Sequence, residues 1–238
     1  MKRMILLFAI ILLVTGCAAQ PELTPVPVIT PGVSAAPTAS PSPTSTIVPT
    51  PTVAPISTPR AADILPQSYQ MKYAELVADN GDDYVPQAFP PKDTYTIEVD
   101  VTNQIATVYD ALTGTVVRQM LCSSGRRDTP SPLGSFNMGS DHVRFGHFDD
   151  FDCFAQYLTQ ITEKVYFHSI IYEQRDASTL VESSYDNLGK RASHGCIRLT
   201  VPDAKWIYEN IAPGTSIKLT EKSEDDVLRE KLALPKSK

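Results

Sequence analysis

Two short stretches hold the side chains best suited to covalent chemistry: Ser193-His194-Gly195-Cys196-Ile197-Arg198, and upstream Phe167-His168-Ser169. The first sets a thiol and an imidazole two residues apart, joined by glycine and followed by a cation. The second supplies another imidazole. A free cysteine is only a few per cent thiolate at neutral pH, so a thiol nucleophile needs an imidazole to take its proton or to stabilise the anion. Gly195 lets the backbone come close to a substrate, and consecutive backbone N–H groups there could receive a developing oxyanion. The set suits attack by Cys196 on a carbonyl carbon.

The elements that must position these residues read as mainly β. Tyr95, Ile97, Val99 and Val101 alternate with polar residues, the period of a half-buried strand. Asn103-Gln104 supplies a turn, Ile105 to Tyr109 a second strand, Leu112-Thr113-Gly114 another turn, and Thr115 to Cys122 a third strand. Val165 to Ile171 is apolar and aromatic, which places His168 on or at the end of a strand. Pro202 opens a helix that runs to about Asn210, with Ala204, Ile207, Tyr208 and Ile211 on its buried stripe and Trp206 in the core. Ser216 to Thr220 closes the domain as a strand. Tyr69 to Asp79 predicts a short helix in a transition segment, residues 60–92, with no catalytic residue. Residues 141–148, which hold His142 and His147, read as a polar and aromatic loop, Tyr157 as a packed side chain, and the charged tail 221–238 as a frayed helix or disordered chain.

The chain has 238 residues and a net charge of −6, so a large basic surface and a nucleic-acid partner are not expected. Lys2 and Arg3 precede the ten-residue apolar run Ile5 to Val14, which ends in Val14-Thr15-Gly16-Cys17. That pattern resembles a bacterial lipobox, with residues 1–16 as the leader and Cys17 as the lipidated residue. Residues 21–59 contain 11 prolines and one charge, Glu22. Such a segment cannot bury a core, and at ~3.1 Å per residue it could reach roughly 120 Å as a stalk. A Cys122–Cys153 disulfide is permitted in an oxidising compartment, and Cys122 otherwise reads as a small buried thiol.

Four separated features resemble the L,D-transpeptidase family with its YkuD-like catalytic domain. They are the Ile97-to-Asp110 hairpin, the Ser123-Ser124-Gly125 and Thr129-Pro130-Ser131-Pro132-Leu133-Gly134-Ser135-Phe136 region, Phe167-His168-Ser169, and Ser193 to Arg198. The resemblance covers roughly residues 93–220 and implies a β-sandwich or barrel with one or two short helices. It implies that Cys196 is the nucleophile and His168 its general base, with Ser169 orienting that histidine through its carbonyl. His194 would line the site and Ser193 would support the nucleophile loop. The N–H groups of Gly195 and Cys196 would serve the oxyanion, and Arg198 would stabilise the loop or meet a substrate carboxylate. The expected enzyme is a monomeric, lipid-anchored, extracytoplasmic acyltransferase acting on peptidoglycan stem peptides, with no metal or organic cofactor. With water as acceptor the same site is an L,D-carboxypeptidase.

Twenty-four residues separate His168 from Ser193, more than the family pattern has, so the polar stretch 172–188 reads as an insertion able to form a flap. If His168 is not the base, His194 takes that role. Two other classes remain: a zinc site from His168, His194 and Cys196, with His147 as a further ligand, and a wall-binding lipoprotein without activity.

Overall fold

The structure is a computed structural model that describes residues 66–237. The expected leader, the lipidation site Cys17 and the linker to residue 59 lie outside the described residues.

Among the described residues, ten strands form two mixed sheets. The first has the order β3-β2-β1-β10-β4, built from β1 (Tyr95–Asp100), β2 (Ile105–Asp110), β3 (Val116–Leu121), β4 (Gly134–Asn137) and β10 (Ser216–Thr220). The second has the order β5-β6-β7-β9, with β5 (His142–Phe148), β6 (Cys153–Thr162), β7 (Val165–Ser169) and β9 (Ile197–Leu199), and β8 (Ile171–Tyr172) pairs with β6. Among the described residues, four short α-helices accompany them: α1 (Tyr73–Val77), α2 (Glu182–Asp186), α3 (Val201–Asn210) and α4 (Asp226–Lys231). The protein is mainly β, as its alternating sequence predicts.

The period-two pattern of β1 buries Tyr95, Ile97 and Val99, and β10 lies parallel beside it with Ile217 and Leu219 buried. The first and last strands of the domain are thus neighbours. Helix α3 is capped by Thr200, whose Oγ1 accepts from the Asp203 N–H, and Pro202 sits in its first turn, where a missing N–H costs nothing. Its expected stripe is buried, and so are Trp206 and Asp203. Asp203 forms a buried ion pair with Arg118 of β3 at 2.8 Å, and Trp206 packs against Tyr95. The helix is covered on nearly every side.

Part of that cover comes from residues 66–92, which pack on the domain as a strap. The helix expected over 69–79 is shorter, a 3₁₀ turn at Ser68–Gln70 followed by α1. Leu76 is fully buried. Asp79 accepts hydrogen bonds from Tyr157 (2.6 Å) and Lys205 (3.0 Å), and its carboxylate also faces Arg144 at 3.4 Å. Tyr172 and Tyr208 donate to the Val77 and Tyr84 carbonyls.

Other expectations need correction. Residues 142–148 are not a loop but strand β5, and the long β6 follows it. The tail is neither frayed nor free: α4 folds back, Leu232 is buried, and the Pro235 carbonyl accepts from Tyr185 at 2.7 Å. Segment 172–188 forms a 3₁₀ turn and α2, with Ala177, Tyr185 and Leu188 in the core. Cys122 and Cys153 are unbridged thiols.

Candidate active site

The Ser193–Arg198 segment is held between two other pieces of chain. β9 runs parallel to β7, with His168 opposite Arg198. On its other side Ser123 pairs with Arg198 through reciprocal backbone bonds of 2.8 and 2.9 Å, and the Ser124 carbonyl accepts from the Ala192 and Ser193 N–H groups. Gln104, in the left-handed region at φ 58°, anchors that middle piece. Its Oε1 accepts from the Ser124 N–H at 2.6 Å and its Nε2 donates to Ser124 Oγ at 2.8 Å. The first hairpin turn therefore supports the Ser193–Cys196 loop from within, a role that turn chemistry alone does not reveal.

Gly125 shows why that position must lack a side chain. A Cβ there would lie 2.2 Å from the Thr129 carbonyl oxygen and 2.5 Å from the Ser131 nitrogen. The Thr129–Ser131 backbone comes this close because Ser131 Oγ accepts from the Gly125 N–H at 2.9 Å. The same hydroxyl donates to the Gly195 carbonyl at 2.7 Å. Ser131 belongs to one of the quoted motifs, yet its position between two prolines gives no hint of what its hydroxyl touches.

Within the loop, Ser193 Oγ donates to the Cys196 carbonyl at 2.6 Å and accepts from the Gly195 N–H at 3.1 Å. The expected support by Ser193 has this concrete form. It also changes the expectation for Gly195, whose N–H is engaged by Ser193 rather than free for an oxyanion. Gly195 sits at φ 126°, a conformation that L side chains rarely adopt.

Cys196 is partly exposed, and its thiol donates to the Lys164 carbonyl at 3.6 Å. His168 is buried, and its Nδ1 lies 2.6 Å from the Ser169 carbonyl. A carbonyl only accepts, so Nδ1 carries the proton and Nε2 is the basic nitrogen. Ser169 is itself locked: its Oγ accepts from the Gln156 N–H and donates to the Ile170 carbonyl.

Burial pushes the Cys196 thiol above its usual range, only partly offset by the Tyr166 N–H and the Arg198 charge. Burial also holds the His168 imidazole down, with Arg198 adding to the effect, to about 3. The resting pair is a neutral thiol and a neutral imidazole, not an ion pair.

Both groups line a groove of about 1110 Å³ that also takes in Ser193, His194 and Arg198. His194 is exposed and stacks on Phe151 at 4.2 Å and 19°. Arg198 is buried, and its Nε has no hydrogen-bond partner among the described residues. Cys153, half-buried, lines the same groove. Segment 172–188 contributes Glu173 and Val181 to its edge. Among the described residues no group of three or more His, Cys, Asp or Glu is placed to hold a metal ion. His147 has both ring nitrogens within hydrogen-bond distance of carboxylates, Asp149 at 2.7 Å and Asp152 at 3.1 Å.

The model of the L,D-transpeptidase catalytic domain matches residues 94–219. A Bacillus subtilis protein, YciB, named as a candidate L,D-transpeptidase, is 31% identical over 126 residues, 51% of this chain and 63% of that relative. The chain thus spans less than two thirds of that relative's length. Among solved structures, an L,D-transpeptidase in complex with imipenem is 25% identical with a TM-score of 0.45, over 54% of this chain and 59% of that one. An L,D-transpeptidase from Mycobacterium tuberculosis is 23% identical with a TM-score of 0.45, over 54% and 58%.

Proposed function

This chain belongs to the YkuD family of L,D-transpeptidase catalytic domains, and on that premise we propose that it is a cysteine acyltransferase of the bacterial cell wall. Its donor is a peptidoglycan stem tetrapeptide. Cys196 Sγ attacks the carbonyl of the third residue, the carbonyl π pair moves onto oxygen, and the thiol proton passes to His168 Nε2. The tetrahedral intermediate collapses to a thioester. The departing amine of D-alanine takes the proton from His168. An amine on a second stem then attacks the thioester, giving up its proton to His168, and the thiol is restored.

The observation that carries this reading is the shared groove of Cys196 and His168, with the histidine tautomer set by the Ser169 carbonyl. The neutral resting pair suits a concerted path, in which the proton moves as sulfur bonds to carbon. The groove carries both signs of charge. Arg198 and Lys164 lie on one account, Asp149, Asp150, Asp152 and Glu173 on the other. Stem peptides carry carboxylates and an ammonium, so they complement such a surface. Cys17 and the linker would tether the domain outside the cytoplasm, at the membrane, within reach of the wall.

Defined tetrapeptide stems incubated with the purified protein test the proposal, with products weighed by mass spectrometry. A cross-linked product lacking one D-alanine supports transpeptidation, and a tripeptide would mean that water is the acceptor. Imipenem should leave an adduct on Cys196 that Cys196→Ala lacks. No product from any stem, together with no adduct, would sink the reading.

A further inference from the structure

We propose that Ser131 is a positioning residue for the oxyanion step: by holding the Gly195 carbonyl, its hydroxyl aims the Cys196 N–H at the oxygen of the attacked carbonyl. The inference rests on Cys196 being the acyl-transfer nucleophile.

Three peptide units surround Cys196, and different hydroxyls hold them. Ser193 Oγ binds the Gly195 N–H, which belongs to the unit before Gly195. It also binds the Cys196 carbonyl, which belongs to the unit after Cys196. Neither contact touches the unit between Gly195 and Cys196. That unit is held by Ser131 Oγ, 2.7 Å from the Gly195 oxygen. A trans peptide is planar, with its C=O and N–H directed oppositely, so fixing the oxygen fixes the direction of the Cys196 N–H. Gly195 supplies no restraint of its own. It has no side chain, and the nearest atom to a would-be Cβ is the Pro130 oxygen at 3.9 Å.

Ser131 is built for the task. It is only 5% exposed, and its oxygen serves two backbone groups at once, accepting from Gly125 and donating to Gly195. Pro130 and Pro132 flank it. The following proline keeps Ser131 extended, and the preceding one has a fixed φ, so the hydroxyl is presented from stiff chain. Gly125 admits that chain at a distance no side chain would allow.

Two reagents separate this role from general support of the loop. Imipenem acylates a thiol through a tetrahedral oxyanion. Iodoacetamide is attacked at a saturated carbon and develops no oxyanion. Both are followed at the Cys196 peptide by mass spectrometry. Loss of one oxyanion donor costs roughly 10²–10³ in rate, and a mis-aimed donor should cost about 10–10². Ser131→Ala should therefore slow acylation by about 10–10² while alkylation stays within about two-fold of wild type. Ser131→Thr and Ser131→Val, nearly equal in volume, should differ in the same way if the alanine variant does not fold. Parallel losses in both reactions, or unchanged acylation without the hydroxyl, would overturn the assignment. A wild-type protein that is alkylated but never acylated would instead overturn the nucleophile reading beneath it.

Discussion

His168 of β7 and Cys196, the residue just before β9, line the same groove. His168 pairs with Arg198, and Cys196 lies two residues before Arg198 on the same chain. The parallel pairing of β7 with β9 thus brings both residues to the lining of one groove. They are not hydrogen-bonded to each other among the described residues. The imidazole is held by the Ser169 carbonyl and the thiol by the Lys164 carbonyl. Catalytic hydrogen bonds of this kind commonly tighten only when substrate binds.

Replacing the imidazole tests the base role. His168→Ala should lower kcat/KM for acylation by roughly 10²–10⁴, the usual range for a lost general base. Single-turnover acylation by imipenem measures it. A rate near wild type would transfer the role to His194.

The neutral resting pair has a pH signature. Burial holds His168 down at about 3, so it stays neutral as pH falls from 8 to 5, and burial raises the Cys196 thiol so that only a small fraction of it is thiolate there. Thiolate therefore grows with pH across this whole interval. Iodoacetamide alkylation of Cys196 should rise steadily through pH 8 and beyond. A fast plateau between about pH 5 and 8 would reveal a thiolate–imidazolium pair and contradict the neutral ground state.

Gly125→Ala should destabilise and inactivate together. The new methyl would meet the Thr129 oxygen, Ser131 nitrogen and Pro130 carbonyl carbon at 2.2–2.8 Å, all of them backbone atoms. Overpacking of this type costs about 1–3 kcal/mol, read from urea unfolding. The displaced Ser131 would release the Gly195 carbonyl, so imipenem acylation should fall as well. Wild-type stability in this variant would count against the close packing.

The strap makes the folded unit longer than the family match. A fragment starting at residue 93 loses Leu76 from the core and leaves Arg144, 3% exposed, without the Asp79 carboxylate. Its Tm should fall at least roughly 5 °C below that of a fragment starting at residue 66, since losing one buried leucine already costs about 2–5 kcal/mol. Equal melting temperatures would show that the strap contributes nothing.

Acid should loosen the same strap. Burial raises the Asp79 carboxyl, but hydrogen bonds from Tyr157, Gly81 and Lys205 outweigh it and hold the group at about 2. A depressed carboxylate contributes its stability above its unfolded value near 3.9 and loses it as pH falls towards 2. Asp79→Asn should flatten the acid limb of Tm against pH in that window, and an unchanged limb would exclude Asp79 as a source.

Two segments show where reading by pattern fails. β5 turns His142, Arg144 and Gly146 inward, so its buried face carries polar groups and its pattern is the reverse of an ordinary strand. Arg144 is tolerated there because Gln156, Asp79 and the Asp79 and Gly81 carbonyls meet it. β6 breaks the period of two at Tyr157, whose φ of 56° interrupts regular extended chain. The Arg144 partners lie 12 to 65 residues away in the chain, so no short window of sequence contains them all.

The candidate reactive groups were legible in the residues themselves. Thiol, imidazole and guanidinium have intrinsic reactivities, and the alternation of β1 and β10 follows from burying one face of a strand. What tertiary structure alone decided is how those groups are held. The imidazole, the thiol and the Gly195–Cys196 peptide are held through the carbonyls of Ser169, Lys164 and Gly195, the last by the Ser131 hydroxyl 64 residues away. Every residue carries the same backbone carbonyl, so composition leaves no mark of which one will be used. Only chain closure brings such groups within hydrogen-bond distance.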